Sequence, residues 1–301
     1  MSTTDFSRSA PNFSGVYTAL ITPFFKGEVD WTSLKKLVRS QIDGGVTGIV
    51  VSGTTGESPT ITMAEKKQIF DFIRSESSGA LKLVMGTGSN STAETVAATK
   101  AAKEWGAAGA LVVVPYYNKP SQRGLFEHFA KVATESSLPI ILYNVPGRTI
   151  TKLELATIQE LAKVNGIVAI KEATGDIEFG RAIASTTSLL LSSGDDGTCL
   201  MLAGAGGKGV ISVISHLIPK DFSNWMKRAT NGESEVCSRE FASRFGALNE
   251  ALYVEANPIP LKYALYKMGI IASPELRLPL TELDEKYRAK VDQLLKQGGL
   301  A

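Results

Sequence analysis

Short apolar runs rich in β-branched residues recur along the first two thirds of the chain, and a segment with helical periodicity follows most of them. Eight such runs are predicted to be strands, at residues 16–21, 48–51, 82–86, 110–114, 140–144, 168–171, 189–192 and 209–213. Because a strand, a helix and the next parallel strand wind in one hand, eight of these units predict a closed (β/α)8 barrel.

The same alternation could also form an open, doubly wound sheet, and the sequence favours the barrel over it. No Gly-x-Gly-x-x-Gly stretch follows the first predicted strand, as the dinucleotide-binding form of the open sheet requires. With 301 residues the chain could hold one domain or two, but α/β barrels of roughly 250 residues routinely form a single unit. We therefore predict an α/β fold with a barrel over residues 13–231, preceded by a flexible Ser/Thr-rich tail at residues 1–12.

Two of the predicted helices begin with the signature of a capping box. Thr62 stands three residues before Glu65, and Ser91 stands three residues before Glu94. Each pair predicts that side chain and backbone satisfy each other's hydrogen bonds at the start of the helix.

The strand signals end near residue 231, and residues 232–301 are predicted to form a small helical appendage. The segment Asn257-Pro258-Ile259-Pro260 is typical of a rigid turn and predicts a helix at residues 261–268. Two further helices are predicted from apolar stripes, one formed by Phe241, Phe245, Leu248 and Leu252 and one by Leu283, Tyr287, Val291 and Leu294.

Composition excludes several classes of function. The chain is 44% hydrophobic and 21% charged with a net charge of +2, and its basic residues form no stripe, so a nucleic-acid partner is not expected. No run approaches the roughly 20 apolar residues that span a bilayer, and no signal-peptide core precedes residue 12, so we expect a cytoplasmic protein with no membrane partner.

Neither a disulfide nor a metal site is expected. Cys199 and Cys237 are interpreted as buried thiols, since two cysteines in a long chain of this kind seldom form a bridge. His128 and His216 are the only imidazoles, and no Cys/His cluster has zinc spacing.

Lys171 ends the predicted strand at residues 168–171 and is the strongest candidate nucleophile. Chemistry on a (β/α)8 barrel takes place at the carboxyl ends of the strands. A lysine that ends an apolar run there is partly desolvated, which disfavours its charged form and favours the neutral amine that attacks carbonyl groups. The alternative is a structural ion pair with Glu172, although an apolar strand end is a costly place for a lysine without a task.

Tyr143 ends the preceding predicted strand, one βα unit earlier. Neighbouring strands lie roughly 4.8 Å apart, so the phenol is expected within reach of the amine and could carry protons during imine formation. The alternative is a core tyrosine with a satisfied hydroxyl.

Two further strand ends carry groups suited to carboxylates. Gly53-Thr54-Thr55-Gly56-Glu57 follows the second predicted strand and can present N–H and O–H donors, although such a loop could also be a simple turn. Arg148, after the fifth, offers a planar fork for bidentate binding, although most arginines only form surface ion pairs.

Taken together, Gly53-Thr54-Thr55-Gly56-Glu57, Tyr143-Asn144-Val145-Pro146-Gly147-Arg148 and Lys171-Glu172 resemble the signatures of the 4-hydroxy-tetrahydrodipicolinate synthase family. This family, formerly called dihydrodipicolinate synthase, is part of the pyruvate-dependent class I aldolase and N-acetylneuraminate lyase superfamily. The similarity extends from about Phe13 through the helical tail. It implies a lyase that condenses pyruvate with L-aspartate 4-semialdehyde, the first committed step toward diaminopimelate and lysine.

The resemblance also implies roles for individual residues. Lys171 would form a covalent imine with pyruvate, so that no further cofactor is expected, and Thr55 would hold the pyruvate carboxylate. Thr54, Tyr143 and Tyr117 would form a hydroxyl relay, with Tyr117 contributed by a neighbouring subunit of a homotetramer built from two dimers. The substrate-binding residues implied by the resemblance are Thr55, Arg148, which would bind the semialdehyde carboxylate, Gly194 and Ile211.

An effector cleft is a further implication of the resemblance. Ser58, Asn90, Glu94 and Tyr116 match residues that bind lysine in feedback-inhibited members. Met63 and Lys66 stand where sensitive bacterial enzymes have histidines, and a cation at Lys66 would repel the cationic effector. We therefore predict weak or absent inhibition by lysine.

Two other functions remain open at the level of sequence. One is a related aldolase or lyase that acts on a longer 2-oxo acid, as N-acetylneuraminate lyases and sugar-acid aldolases do. Those relatives usually lack an arginine where Arg148 stands, and the lyases have Ser-Thr where this chain has Thr54-Thr55. The other is a barrel that binds 2-oxo acids without catalysis, but a pure binder has no need of a nucleophile.

Overall fold

The computed structural model describes residues 12–301, and its centre is a closed barrel of eight parallel strands. We number the strands β1 Gly15–Ala19, β2 Gly48–Val51, β3 Lys82–Gly86, β4 Gly109–Val113, β5 Ile140–Asn144, β6 Ile167–Glu172, β7 Leu190–Ser193 and β8 Gly209–Ser212. Each strand pairs with its neighbours in the sequence, and β1 pairs with β8 to close the ring. The predicted barrel is confirmed, whereas the predicted tail lies, apart from Asn12, outside the described residues.

All eight predicted strands exist, with ends that differ from the predicted ones by up to two residues. The structure adds a small antiparallel hairpin of Phe24–Phe25 and Glu28–Val29, which the sequence analysis missed. Two-residue strands are too short to show the alternation by which a strand is recognised.

Helices follow the barrel strands and continue into the C-terminal region. They are α1 Trp31–Asp43, α2 Met63–Ser77, α3 Thr92–Glu104, α4 Gln122–Ser136, α5 Pro146–Thr149, α6 Leu155–Leu161, α7 Ile177–Thr186, α8 Cys199–Gly204, α9 Pro219–Arg228, α10 Ser234–Ala251, α11 Ile259–Lys267 and α12 Glu285–Gln297. Short turns of 3-10 helix lie at Ser58–Thr60 and Ile214–His216, and a π-helical segment at Ala229–Glu233 leads into α10. None of the helices in the described part of the chain is long and apolar enough to cross a membrane.

The capping box predicted at Thr62 is present, but the one at Ser91 is only half formed. Thr62 Oγ1 accepts from the backbone of Glu65, and the Glu65 carboxylate accepts from the Thr62 backbone at 2.8 Å. At α3, Ser91 Oγ accepts from the Glu94 backbone at 3.4 Å, but the Glu94 carboxylate instead accepts from Ser89 Oγ at 2.8 Å. Because Ser89 Oγ binds the Glu94 carboxylate, that carboxylate does not accept from the Ser91 backbone as a full capping box requires.

The strands separate two apolar cores. Alternate strand residues face the surrounding helices, and the others fill the barrel interior, where Tyr17, Val50, Val84, Leu111 and Ile141 form part of one cluster that includes Tyr143. Because aliphatic and aromatic side chains fill the lower interior, polar groups at the strand ends lie above a packed floor.

The C-terminal stripe predicted on α10 is buried: Phe241, Phe245, Leu248 and Leu252 are each at most 3% exposed. On α12 the buried residues are Val291 and Leu295, so the predicted Leu294 lies at the edge of the contact. Helix α11 begins at Ile259, two residues before its predicted start. The division of the chain between residues 231 and 232 stays a prediction.

Candidate active site

Lys171 and Tyr143 meet at the carboxyl ends of β6 and β5. The two residues are register partners in the sheet, and the Lys171 Nζ lies 4.1 Å from the centroid of the Tyr143 ring. Both side chains are buried, with 6% and 7% of their surface exposed. The strand register therefore brings the amine and the phenol together.

Glu172 is not the partner of Lys171, although it is the next residue. Its carboxylate accepts from Asn144 Nδ2 at 2.8 Å and from the Thr174 backbone at 2.6 Å, and burial raises its pKa. Lys171 has no ion pair with any carboxylate among residues 12–301. The interpretation of Lys171 as half of a structural ion pair with Glu172 is therefore not supported.

Gly194, in the loop after β7, lies against the stem of Lys171. A Cβ at this position would lie 2.7 Å from Lys171 Cε and 2.7 Å from the Ala173 Cβ. Distances below 3.0 Å require a shift of one partner, so only glycine leaves the lysine side chain where it is. The residue thus shapes the position of the amine.

The threonine loop, residues 53–57, leaves β2 through an unusual backbone. Ser52 and Glu57 have φ values of 52° and 57°, a left-handed conformation that non-glycine residues adopt only when their surroundings hold them. Thr55 is buried, and its Oγ1 accepts a hydrogen bond of 2.8 Å from Asn257 Nδ2.

A buried ion pair that the sequence analysis did not predict holds the end of this loop. Glu57 pairs with Lys262 of α11, and neither side chain is more than 1% exposed. The Arg277 backbone N–H donates to the second oxygen of the Glu57 carboxylate at 3.0 Å. Burial lowers the pKa of Lys262 to about 8, although Glu57 opposes that shift.

The guanidinium of Arg277 fixes the segment that follows the threonine loop. It forms two hydrogen bonds to the Glu65 carboxylate, at 2.6 and 3.0 Å, and one to the carbonyl of Thr60 at 2.9 Å. The threonine loop is thus bound to the C-terminal region at several points.

Arg148 lies on α5, directly after β5. Its Nη2 donates to the backbone carbonyl of Asn257 at 3.1 Å, and no carboxylate among the described residues forms an ion pair with it. Arg148 is an exposed residue, so its guanidinium retains donors for a ligand.

A cavity of about 630 Å³ opens beside these strand ends. Thr54, Tyr143 and Arg148 line it, and the same cavity continues to Ser58, Met63, Lys66, Glu94 and Tyr116. Lys171, Thr55, Gly194 and Ile211 are not among its lining residues, and the ring of Tyr143 connects the cavity wall to the amine. Two of the candidate catalytic residues, Thr54 and Tyr143, therefore share one space with three of the four candidate effector residues.

Tyr117, Ile211 and Asn90 are three predicted site residues that do not line the cavity. Tyr117 is 87% exposed and does not line the cavity. Ile211 is buried in the barrel interior, where it is a register partner of Tyr17. Asn90 accepts a hydrogen bond from Asn118 through its backbone carbonyl and also lies outside the cavity lining.

In the candidate effector cleft, Lys66 Nζ donates to Ser58 Oγ at 3.1 Å, and burial lowers the pKa of Lys66. Met63 is 46% exposed and offers no polar atom to a cationic ligand. Both residues line the cavity, and the predicted insensitivity to lysine stays a prediction.

The thiols and imidazoles form no metal site. Cys199 and Cys237 are buried and unpaired, and no group of three or more His, Cys, Asp or Glu residues within residues 12–301 could hold a metal ion. His128 and His216 are also buried, and burial lowers the pKa of each to about 4.

Comparison with known proteins gives one consistent result. The model of the dihydrodipicolinate synthetase family matches residues 12–298. The chain is 51% identical to 4-hydroxy-tetrahydrodipicolinate synthase of Bdellovibrio bacteriovorus over 96% of this chain and 99% of that protein, and 43% identical to the synthase of Coxiella burnetii over 96% and 99%. Its structure resembles that of a chloride-inhibited dihydrodipicolinate synthase from Acinetobacter baumannii in complex with pyruvate, with a TM-score of 0.93 and 41% identity over 96% of this chain and 100% of that chain.

Proposed function

This chain belongs to the dihydrodipicolinate synthetase family, and we propose that it acts through an imine between Lys171 and pyruvate. It is a lyase that condenses pyruvate with L-aspartate 4-semialdehyde to 4-hydroxy-tetrahydrodipicolinate, in lysine and diaminopimelate biosynthesis. The observation that carries the mechanism is a buried amine that has no carboxylate partner among residues 12–301 and is held against the ring of a tyrosine.

The proposed reaction begins at the Lys171 amine. The neutral Nζ adds to the C2 carbonyl of pyruvate, and loss of water gives the imine. Loss of a proton from the methyl carbon gives the enamine, whose terminal carbon attacks the aldehyde carbon of the semialdehyde. The amino group of the second substrate then adds to the imine carbon and displaces Lys171, which closes the ring and regenerates the free amine.

Each step moves a proton, and the hydroxyls near Lys171 are suited to carry it. We assign Tyr143 to proton transfer at the imine because its ring is in contact with the amine. Thr54 lines the same cavity and is assigned to the relay with it. The imine itself activates the methyl carbon, so the proposed reaction requires no further cofactor.

The two substrate carboxylates are assigned to different groups. Thr55 presents a hydroxyl from the threonine loop to the pyruvate carboxylate, and Arg148 presents its guanidinium to the carboxylate of the semialdehyde. Gly194 leaves space for Lys171, and Ile211 contributes to the apolar floor below it.

Borohydride trapping tests the imine. Incubation with pyruvate and borohydride is expected to leave a reduced pyruvate adduct that peptide mapping places on Lys171. Lys262 is the internal control because it is a buried lysine whose Nζ is already paired with Glu57. The proposal fails if no adduct forms, or if the adduct is found on another lysine while the Lys171→Met variant still reacts.

Substrate comparison tests the acceptor. Aspartate 4-semialdehyde is expected to be condensed faster than sugar aldehydes, and Arg148→Ala is expected to raise the KM for the semialdehyde on the order of 10-fold or more, since a charge-assisted hydrogen bond is lost. A preference for sugar aldehydes would indicate the related aldolases, and trapping without turnover would indicate a binding protein.

We further propose a homotetramer of two dimers in which Tyr117 completes the relay of a neighbouring subunit. Within its own chain Tyr117 is exposed, its φ of 74° is unusual for a tyrosine, and the neighbouring Tyr116 lines the cavity. An aromatic side chain held outward beside the cavity is suited to reach a second copy.

Mixed oligomers test this arrangement. Subunits carrying Lys171→Ala and subunits carrying Tyr117→Phe are mixed, dissociated and reassembled, and activity is measured. If Tyr117 acts across the interface, a mixed dimer contains one site with both residues intact, so activity exceeds that of either parent. If the mixed sample is no more active than its Tyr117→Phe subunits alone, then Tyr117 acts in the active site of its own subunit or takes no part in the relay.

A further inference from the structure

Asn257 contacts both residues to which the two substrate carboxylates are assigned. Its side-chain Nδ2 donates to Thr55 Oγ1 at 2.8 Å, and its backbone carbonyl accepts from Arg148 Nη2 at 3.1 Å. The residue is 6% exposed and lies in the turn before α11, about 200 residues away in sequence from the loop that it contacts.

The direction of the bond to Thr55 decides what that hydroxyl can do. A threonine hydroxyl has one proton to donate and can accept at its oxygen. Because Asn257 donates to the oxygen, the single proton of Thr55 remains available for another acceptor. A pyruvate carboxylate is an acceptor only, so this polarity is the one that binding requires.

The rest of the threonine loop is already fixed independently of Asn257. Glu57 is held by Lys262 and by the Arg277 backbone, and Glu65 is held by the Arg277 guanidinium. The bond from Asn257 therefore orients one hydroxyl on a backbone that other contacts keep in place.

We propose that Asn257 is a positioning residue that directs the Thr55 hydroxyl proton toward the pyruvate carboxylate, a role that rests on the proposed function. Its side chain serves the pyruvate subsite, and its backbone carbonyl serves Arg148. Substitutions of the Asn257 side chain therefore weaken pyruvate binding and leave the semialdehyde subsite in place.

Asn257→Asp is the sharpest test because it keeps the shape and reverses the hydrogen bond. The carboxylate takes the Thr55 proton as an acceptor, and it also brings a negative charge toward an anionic substrate. We expect the KM for pyruvate to rise about 10-fold in Asn257→Ala, because the hydrogen bond from Thr55 to the pyruvate carboxylate is no longer oriented. In Asn257→Asp the KM should rise further. The KM for aspartate 4-semialdehyde is expected to change less than about 2-fold.

Asn249→Asp is the matched control. Asn249 is equally buried, at 7% exposed, and has no hydrogen bond to Thr55 or Arg148. It reports what a new buried carboxylate does to stability and rate in general. Thermal unfolding of all three variants separates loss of fold from loss of pyruvate binding.

Trapping of the pyruvate adduct distinguishes failure of the proposed imine chemistry from failure of the role of Asn257. If the unsubstituted protein forms no pyruvate adduct, the proposed function fails. If it forms the adduct and the half-saturating pyruvate concentration for trapping is unchanged in Asn257→Asp, or rises equally in Asn249→Asp, then the role of Asn257 is refuted. A parallel rise in both KM values would also refute it, because it would indicate general loosening of the mouth.

Discussion

Replacing Lys262 should lower the free energy of unfolding by much more than replacing Glu57, its partner in the buried ion pair. Lys262→Met leaves a carboxylate in a site from which water is excluded, with the Arg277 backbone N–H as its remaining donor. Removing one member of a buried pair costs about 3–5 kcal/mol of unfolding free energy, and we expect Lys262→Met to fall in that range.

Glu57→Gln should cost much less. Burial already lowers the pKa of Lys262 to about 8, so at pH 7 the amine is only one pKa unit from losing its charge. Glu57 raises this pKa, so it falls further once the carboxylate is gone, and a lysine left alone can release its proton at a cost on the order of 1 kcal/mol. The glutamine side chain also keeps an oxygen that can accept from the Arg277 backbone.

Urea unfolding followed by tryptophan fluorescence measures both changes. All variants are compared at one protein concentration, because subunit association makes apparent stability depend on concentration. Lys67→Met is the control, since it breaks an exposed pair with Asp71 at 52% and 36% exposure and should cost less than about 1 kcal/mol.

The asymmetry is the test. If Glu57→Gln destabilises the protein as much as Lys262→Met, the amine does not escape its burial by losing a proton. If Lys262→Met costs under about 1 kcal/mol, then the carboxylate is not the uncompensated charge that its burial implies.

Three further predictions concern single residues. Gly194→Ala places a Cβ 2.7 Å from Lys171 Cε and should slow adduct formation with pyruvate about 10-fold or more. An unchanged trapping rate would contradict this. Submillimolar lysine should fail to half-inhibit the enzyme because Lys66 lines the candidate effector cleft, and Lys66→His should increase the sensitivity to lysine. Strong inhibition of the unsubstituted protein in a steady-state assay would refute this prediction. The buried His216 accepts a hydrogen bond from the Ile21 backbone N–H through Nε2, and burial lowers its pKa from 6.5 to about 4. As pH falls, the unfolded state therefore binds a proton at this residue before the folded state does. Up to roughly 3 kcal/mol of unfolding free energy should be lost between about pH 6.5 and 4. His216→Gln should flatten that dependence in urea unfolding at several pH values, and an equal slope in both proteins would assign the acid sensitivity to other groups.

Sequence patterns predicted the parts of this protein that burial shapes regularly. Barrel strands were predictable because burial on both faces gives continuous apolar runs, and long helices because burial on one face selects apolar residues three to four apart. The capping box at Ser91 was half wrong because the serine at position 89, outside the pattern, takes the carboxylate of Glu94.

Two lysines in apolar surroundings illustrate the limit of such reasoning. The position of Lys171 at the end of an apolar strand pointed to a nucleophile, and Lys262 in the apolar stretch of α11 carries a similar signal. Lys262 is the more buried of the two, yet it has a carboxylate partner, whereas Lys171 has none among the described residues. Apolar context therefore indicates that a lysine has a task, and only the tertiary contact shows which task it has.

The contact between Thr55 and Asn257 has a consequence for how the protein is made. The threonine loop leaves the ribosome early, but the residues that hold it follow 202 to 220 positions later. At roughly 5–20 residues per second, that interval is about 10–40 s. During this time the nascent chain already carries the loop, and later Lys171 as well, without Asn257, Lys262 or Arg277 to hold it. The pyruvate subsite can therefore be completed only as synthesis ends, so a ribosome-bound chain that stops before residue 257 should have the reactive lysine without an ordered carboxylate subsite.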